Sequence, residues 1–287
     1  MYADLHLHTT ASDGLLKPRQ VVRIAEAKGF SAIAITDHDT VDGLEEAIKE
    51  GNIRGIEVIP GIELSTLCGQ KEVHVLGYCI DRESSKLHKI LKQFIESRKI
   101  RAVKMVEKLN ELGIRISMKR VREMAEGEFV GRPHIARAMV EKGYISEISR
   151  AFTREYIGNG GKAYVERFKL NTREAIELIL DINGIPVLAH PGLESNGEAL
   201  YEDEIKEFVE YGLKGIEVYY SEHDELQTRY YEDIANRYSL LITGGSDCHG
   251  DRDEGLLLGK IKLPYRYVEA LKKERESLKK LRQILKD

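Results

Sequence analysis

The chain has 287 residues, 42% hydrophobic and 32% charged, with its 25 Gly and 6 Pro scattered rather than clustered. That is enough for one large domain or two ordinary ones, and it excludes collagen-like, mucin-like and wholly disordered chains. Forty-four Lys and Arg against 48 Asp and Glu leave a net charge of −4, too near balance for a general nucleic-acid or membrane-surface binder.

No apolar run approaches the roughly 18 residues a bilayer span requires, and the opening MYADLHLHTT has neither the basic flank nor the apolar core of a signal peptide. Cys68, Cys79 and Cys248 show no CxxC spacing, which argues against a disulfide framework or a thiolate zinc site. A reducing, cytoplasmic location is therefore expected, with no membrane partner and no long nucleic acid.

Runs rich in Val and Ile recur between amphipathic stretches, the pattern of strands alternating with helices around a mostly parallel sheet. In chain order, strands are expected at 2–8, 31–36, 57–64, 72–78, 185–190, 215–219 and 240–244. The fold class is thus α/β, a closed or nearly closed β/α barrel. The first crossover helix starts at Pro18, suited to a first helical position, and stops at Gly29, suited to a C-terminal cap.

About a hundred residues separate the fourth strand from the fifth, far more than the roughly dozen a crossover needs. A helical subdomain is expected at 83–168, inserted into a barrel made of 1–82 and 169–287. Residues 86–142 carry 15 Lys and Arg against 7 Asp and Glu. A basic cap over an acidic mouth would suit a small anionic substrate; a solvated helical surface is the plainer reading. In 265–287 the spacing of Leu271, Leu278, Leu281 and Leu285 predicts an amphipathic helix packed on the barrel.

In Asp4-Leu5-His6-Leu7-His8 a strand period of two predicts Leu5 and Leu7 on one face and both imidazoles on the other. Alone, His-x-His is a weak metal signal. The later strands repeat it, however, with Thr36-Asp37-His38-Asp39, Gly61-Ile62-Glu63-Leu64-Ser65, His74, Ala189-His190-Pro191-Gly192 and Gly245-Ser246-Asp247-Cys248-His249. Strand ends of an α/β barrel converge on one mouth. His6, His8, His38, Glu63, His74, His190, Asp247 and His249 are then neighbours and read as metal ligands. Cys248 should turn away and be buried, and Gly244-Gly245-Ser246 reads as a tight turn, since no G-x-S-x-G elbow is present. Mixed imidazole and carboxylate donors suit Mn²⁺, Fe²⁺ or Zn²⁺, manganese being the expected metal.

HxH followed by SDG, then TDHD, GIELS, HVLGY, AHPG and GGSDCHG, resembles the polymerase and histidinol phosphatase (PHP) superfamily over nearly the whole chain. Gly131-Arg132-Pro133-His134, together with the insert position, is similar to the subgroup acting on nucleoside 3′,5′-bisphosphates and short 5′-phosphorylated oligonucleotides. The resemblance implies a distorted (β/α)7 barrel and a trinuclear metal centre. It puts one metal on His6, His8, Glu63 and Asp247, and a second on Asp13, His38 and His249. A third is completed by His74 and His190 with Glu63 bridging, and Asp13 stands where other branches use histidine. Three divalent ions outweigh three carboxylates, which favours an anionic phosphoester. The implied nucleophile is a metal-bound hydroxide, and no catalytic side chain is named.

Leu91, Ile95, Arg98, Ala102, Met105 and Leu109 follow helical spacing, placing Arg98 on an apolar stripe, where it either snorkels or reaches a phosphate. Pro133 suits the first turn of a helix, so residues 131–134 are either an anion site or an ordinary capped helix. In the resembled subgroup the insert supplies substrate contacts, which implies Arg98, Lys99, Arg101, Arg132 and His134 as phosphate and nucleotide binders. The expected function is removal of the 3′-phosphate from nucleoside 3′,5′-bisphosphates, with trimming of short RNA from its 5′ end. The alternatives are a phosphatase of another small phosphoester, such as one resembling histidinol phosphate, and a non-catalytic metal-binding module.

Overall fold

The computed structural model describes residues 1–125, 130–192, 199–252 and 255–284. Chain order begins β1 (Tyr2–Asp4), α1 (Pro18–Ala27), β2 (Ala32–Ile35), α2 (Leu44–Arg54), β3 (Glu57–Cys68) and β4 (Lys71–Tyr78), then α3 (Ser85–Glu111), α4 (Met118–Met124) and α5 (Arg132–Glu141). It continues through β5 (Leu170–Asn171), α6 (Thr172–Asp181), β6 (Ile185–Leu188), α7 (Glu202–Glu210), β7 (Gly215–Tyr220), α8 (Glu225–Arg237) and β8 (Leu241–Gly245). Short β9 (Asp251–Arg252), β10 (Gly255–Leu256) and β11 (Leu263–Pro264) precede α9 (Arg266–Ile284).

The main sheet is ordered β11-β1-β2-β3-β4-β6-β7-β8, with β5 beside β3. Its edges meet where Leu5 N–H bonds the Gly244 carbonyl at 3.1 Å and His8 N–H bonds the Cys248 carbonyl at 3.0 Å, so the α/β barrel is nearly closed. Two strands depart from the all-parallel pattern. β4 runs antiparallel to β3 and β6, and β11 antiparallel to β1. Only Gly69 and Gln70 connect β3 to β4, and Gly69 takes φ +59°. So short a link makes a hairpin, since a parallel return needs a crossover.

Alternate strand residues divide between two apolar clusters. Ala3, Leu5, Ala34, Ile59, Leu76 and Val187 fill the barrel interior, whereas Ile33, Ile35, Ile62, Val75, Ile216 and Val218 face α1, α2, α6, α7 and α8. The expected common face of Leu5 and Leu7 is corrected: Leu5 joins the interior and Leu7 the outer cluster. β1 ends at Asp4, whose carboxylate accepts the backbone N–H groups of His6 at 3.4 Å and Ser246 at 2.9 Å, which interrupts the regular alternation.

A third cluster runs from Ala102 to Ala163 and includes Met105, Leu109, Val121, Ile135 and Met139. Helix α3 serves two of them, with Leu87, Leu91 and Phe94 in the outer barrel cluster and Ala102, Met105 and Leu109 in the third. Helix α9 contributes Val268 and Leu271 to the barrel interior and so plugs the end opposite the mouth; Leu285 lies outside the described residues. Among the described residues no helix is long and apolar enough to cross a membrane.

Candidate metal centre

All nine residues expected as ligands converge at the barrel mouth. His6 and His8 follow β1, and Asp13 lies in the next loop. That loop is pinned by Asp37, which accepts from Thr9 N–H and Oγ1 at 2.7 Å each and from Ser12 Oγ at 2.6 Å. His38 follows β2, His190 follows β6, and Asp247 and His249 follow β8. His74 arrives by another route. Because β4 is antiparallel, its amino-terminal half lies at the mouth, and His74 pairs in register with Ser65 of β3. The expected turn at Gly244-Gly245 is the end of strand β8 instead. A Cβ on Gly245 would stand 2.3 Å from His6 Cβ, so glycine permits the close approach of β8 to the first histidine. Cys248 is buried, as its alternation with Asp247 and His249 predicts.

Glu63, fully buried, is the hub. Its Oε2 lies 3.4 Å from His6 Nε2, 3.2 Å from His8 Nε2 and 3.0 Å from His38 Nδ1. Its Oε1 lies 2.9 Å from His74 Nδ1 and 3.1 Å from His190 Nε2. Asp247 Oδ1 approaches His8 Nε2 at 3.0 Å and His6 Nε2 at 3.4 Å, and Asp13 Oδ1 approaches His249 Nε2 at 3.4 Å. Four overlapping sets have donor atoms within 4.8 Å of one another: His8, Asp13, His38 and His249; His6, His190 and Asp247; His6, His8 and Glu63; His38, Glu63 and His74. Relative to the division implied by the family resemblance, His8 also faces the Asp13 group and His190 stands with His6 and Asp247.

Burial opposes charge on these groups, yet mutual attraction prevails for most. Against desolvation, Glu217, Asp247 and Glu63 hold the His6 pKa well above its ordinary value. Asp247 and Glu63 push His8 up to about 10, and Glu63 pushes His74 up to about 9. For His38 burial prevails and lowers the pKa. Surrounding imidazoles hold the carboxyls of Glu63, Asp13 and Asp247 well below the usual range, although burial acts to raise them. Buried His6 Nε2, both His8 ring nitrogens, His38 Nδ1, Glu63 Oε2 and Asp247 Oδ1 nonetheless lack a well-formed hydrogen bond. Buried polar atoms are ordinarily satisfied. This donor set, aimed inward and under-bonded, fits divalent cations bound through imidazole and carboxylate.

A cavity of about 230 Å³ extends from this cluster. Asp13, His38, Glu72 and His74 line it together with Arg98, Arg101, Arg132 and Arg167. Arg98 does not snorkel: its buried guanidinium donates to Asp39 Oδ2, which also sits 3.1 Å from Arg167. Burial and the charge of Arg167 lower the Arg98 pKa to about 10, and burial with Arg132 and Arg167 lowers Arg101 to about 9. Both stay cationic at neutral pH, crowded together and suited to a multiply charged anion.

Lys99 and His134 do not border the cavity. His134 is buried, and its Nδ1 accepts the Gly131 N–H at 3.0 Å, capping α5, while Gly131, Arg132 and Pro133 reach the cavity wall.

A model of the PHP domain matches residues 4–286. The chain belongs to the PHP domain family. It is 34% identical over 246 residues to a 5′-3′ exoribonuclease of Haemophilus influenzae, covering 86% of this chain and 89% of the relative. It is also 34% identical over 257 residues to a 3′,5′-nucleoside bisphosphate phosphatase of Chromobacterium violaceum, covering 88% and 90%. A phosphoribosyl 1,2-cyclic phosphate 1,2-diphosphodiesterase of Eggerthella lenta is 32% identical over 254 residues, covering 87% and 95%. A crystal structure from Bifidobacterium adolescentis, provisionally assigned as a metal-dependent phosphoesterase, superposes with a TM-score of 0.88 at 30% identity, covering 94% of each chain.

In this PHP domain two groups that support the cluster escape the motif reading. Glu217, fully buried on β7, places its two oxygens 3.1 and 3.2 Å from His6 Nδ1, and one of them accepts the backbone N–H of His190 at 2.8 Å. Tyr220 donates to Asp247 Oδ2 at 3.0 Å. Asp39, His190 and Asp247 all take positive φ, +53°, +23° and +52°, a conformation that costs non-glycine residues and gathers at functional sites. Glu217 lies within a strand that otherwise reads as apolar filling. A lone acid there was the available signal, because an unpaired buried carboxylate is costly.

Proposed function

We propose that the chain is a metal-dependent hydrolase that removes the 3′-phosphate of nucleoside 3′,5′-bisphosphates and trims short 5′-phosphorylated oligoribonucleotides. The observation that carries this reading is the shared cavity: His38 and His74 of the cluster line it together with Arg98, Arg101, Arg132 and Arg167, which suits a substrate bearing more than one anionic group. Its relatives act on closely related phosphoesters.

His6, His8, Asp13, His38, Glu63, His74, His190, Asp247 and His249 would hold the cations, three manganese ions in this proposal. When bound, they supply the positive charge that acidifies water and offsets negative charge on the phosphoryl group. Glu63 orients five imidazoles at once. Arg98, Arg101 and Arg132, with Arg167 added, hold the second phosphate, and His134 supports that subsite by capping the helix that carries Arg132. Residues 83–168 would act as the cap of a barrel formed by 1–82 and 169–287. Three free cysteines suit a reducing compartment such as the cytoplasm.

The test is manganese-dependent phosphate release from adenosine 3′,5′-bisphosphate, abolished by chelator and by His38→Ala, with elemental analysis counting the metals. Comparable turnover of histidinol phosphate overturns the nucleotide assignment. No release from any phosphoester leaves a metal-binding module.

A further inference from the structure

We infer that Phe152 is the stacking platform for the substrate's nucleobase, so that the cavity reads three parts of a nucleotide: two phosphates and a π-face. This inference deepens the bisphosphate reading and rests on it.

Phe152 ends the short 3-10 helix Ile148–Phe152, whose preceding residue Ala151 is fully buried. Phe152 itself is 36% exposed. The ring bounds the same cavity as His38, His74 and Arg98. A large apolar ring held at the edge of a strongly charged pocket contributes little to a core and gains by covering a flat apolar ligand surface.

The neighbouring guanidinium strengthens the assignment. Arg132 lies 5.4 Å from the Phe152 ring centroid and 5.8 Å from that of Tyr164. It is fixed by a 3.0 Å hydrogen bond to Asn159 Oδ1. Arg101 lies 5.2 Å from the same Tyr164 ring. Tyr164 thus backs two cationic groups, whereas Arg132 covers one face of the Phe152 ring and the remaining exposure of that residue leaves its other side open to a base. An aromatic ring paired with an arginine plane is the chemistry that holds unpaired bases without reading their edges. The platform therefore accepts all four bases, with purines ahead of pyrimidines through larger overlap.

The experiment compares kcat/KM for adenosine 3′,5′-bisphosphate with that for its base-free counterpart, 1,4-anhydro-D-ribitol 3,5-bisphosphate, in the manganese-loaded protein. Stacking contributes about 1–3 kcal/mol per base. The wild type is expected to favour the nucleotide by roughly tenfold or more, mostly through KM, Phe152→Leu to lose most of that ratio, and Phe152→Tyr to retain it. Because the ratio is internal to each protein, loss of folded material lowers both activities and cannot imitate the effect. An unchanged ratio in Phe152→Leu, or no preference in the wild type, overturns the inference while leaving the bisphosphate activity standing. Failure to hydrolyse either compound overturns the functional reading and this inference together.

Discussion

Both carboxylate oxygens of Glu217 face the Nδ1 atom of His6, at 3.1 and 3.2 Å. The arrangement makes Nδ1–H the donor, so that Nε2, 3.4 Å from both Glu63 and Asp247, is the atom that would give up its proton and ligate a cation. The same carboxylate takes the His190 N–H and so steadies a backbone of positive φ. Glu217→Gln should weaken metal binding by about 10- to 100-fold, the range seen when such orienting partners are lost. Metal titration monitored by calorimetry checks this, and an unchanged affinity would show that Glu217 serves packing alone.

Metal uptake should release protons. In the cation-free cluster His8 and His74 titrate at about 10 and about 9, so both carry a proton at pH 7 that a ligating nitrogen must lose. Apparent affinity should consequently rise with pH up to that range and fall on acidification. The same pKa values, raised above the unfolded histidine value of about 6.5, stabilise the metal-free protein fully below pH 6.5. That contribution disappears as pH climbs through 9 to 10. Calorimetry in two buffers of different ionisation enthalpy counts the protons; a count of zero contradicts the prediction.

How far these features could be read beforehand depended on chain locality. The candidate ligands stand in short motifs at strand ends, and barrel geometry gathers strand ends whatever the intervening sequence, so their clustering is legible. β4 misled about direction because period-two alternation looks the same in parallel and antiparallel strands. Glu217 and Arg167 were overlooked for a different reason. Their partners, His6 and Asp39, are more than a hundred residues away, and neither neighbourhood has a local pattern. The Gly244-Gly245 pair was read as a turn when its role is steric, against a histidine at the opposite end of the barrel order.

Arg167 should matter to substrate rather than to metal. It shares Asp39 with Arg98 and borders the cavity. Hydrogen bonds to charged groups are worth about 1.5–3 kcal/mol. Arg167→Met should therefore raise KM for the bisphosphate by roughly 10- to 100-fold with metal content unchanged. Its effect on a monophosphate should be smaller, and equal losses on the two substrates would place Arg167 outside the second-phosphate subsite.

The plug formed by α9 has a measurable worth. Leu271 is fully buried in the barrel interior. Leu271→Ala should cost about 2–5 kcal/mol, as buried leucine truncations do. Urea unfolding of the metal-loaded protein measures it, and a loss below about 1 kcal/mol would mean that the helix merely rests on the surface.

His6 and His8 belong to the segment after β1, Asp247 and His249 to the segment after β8, and these segments are hydrogen-bonded along one seam. Ions held between them would act as rivets across that seam. A growing polypeptide that has not yet made β8 offers only part of the donor set, so tight loading waits until the circle is joined, and metal occupancy becomes a marker of finished assembly.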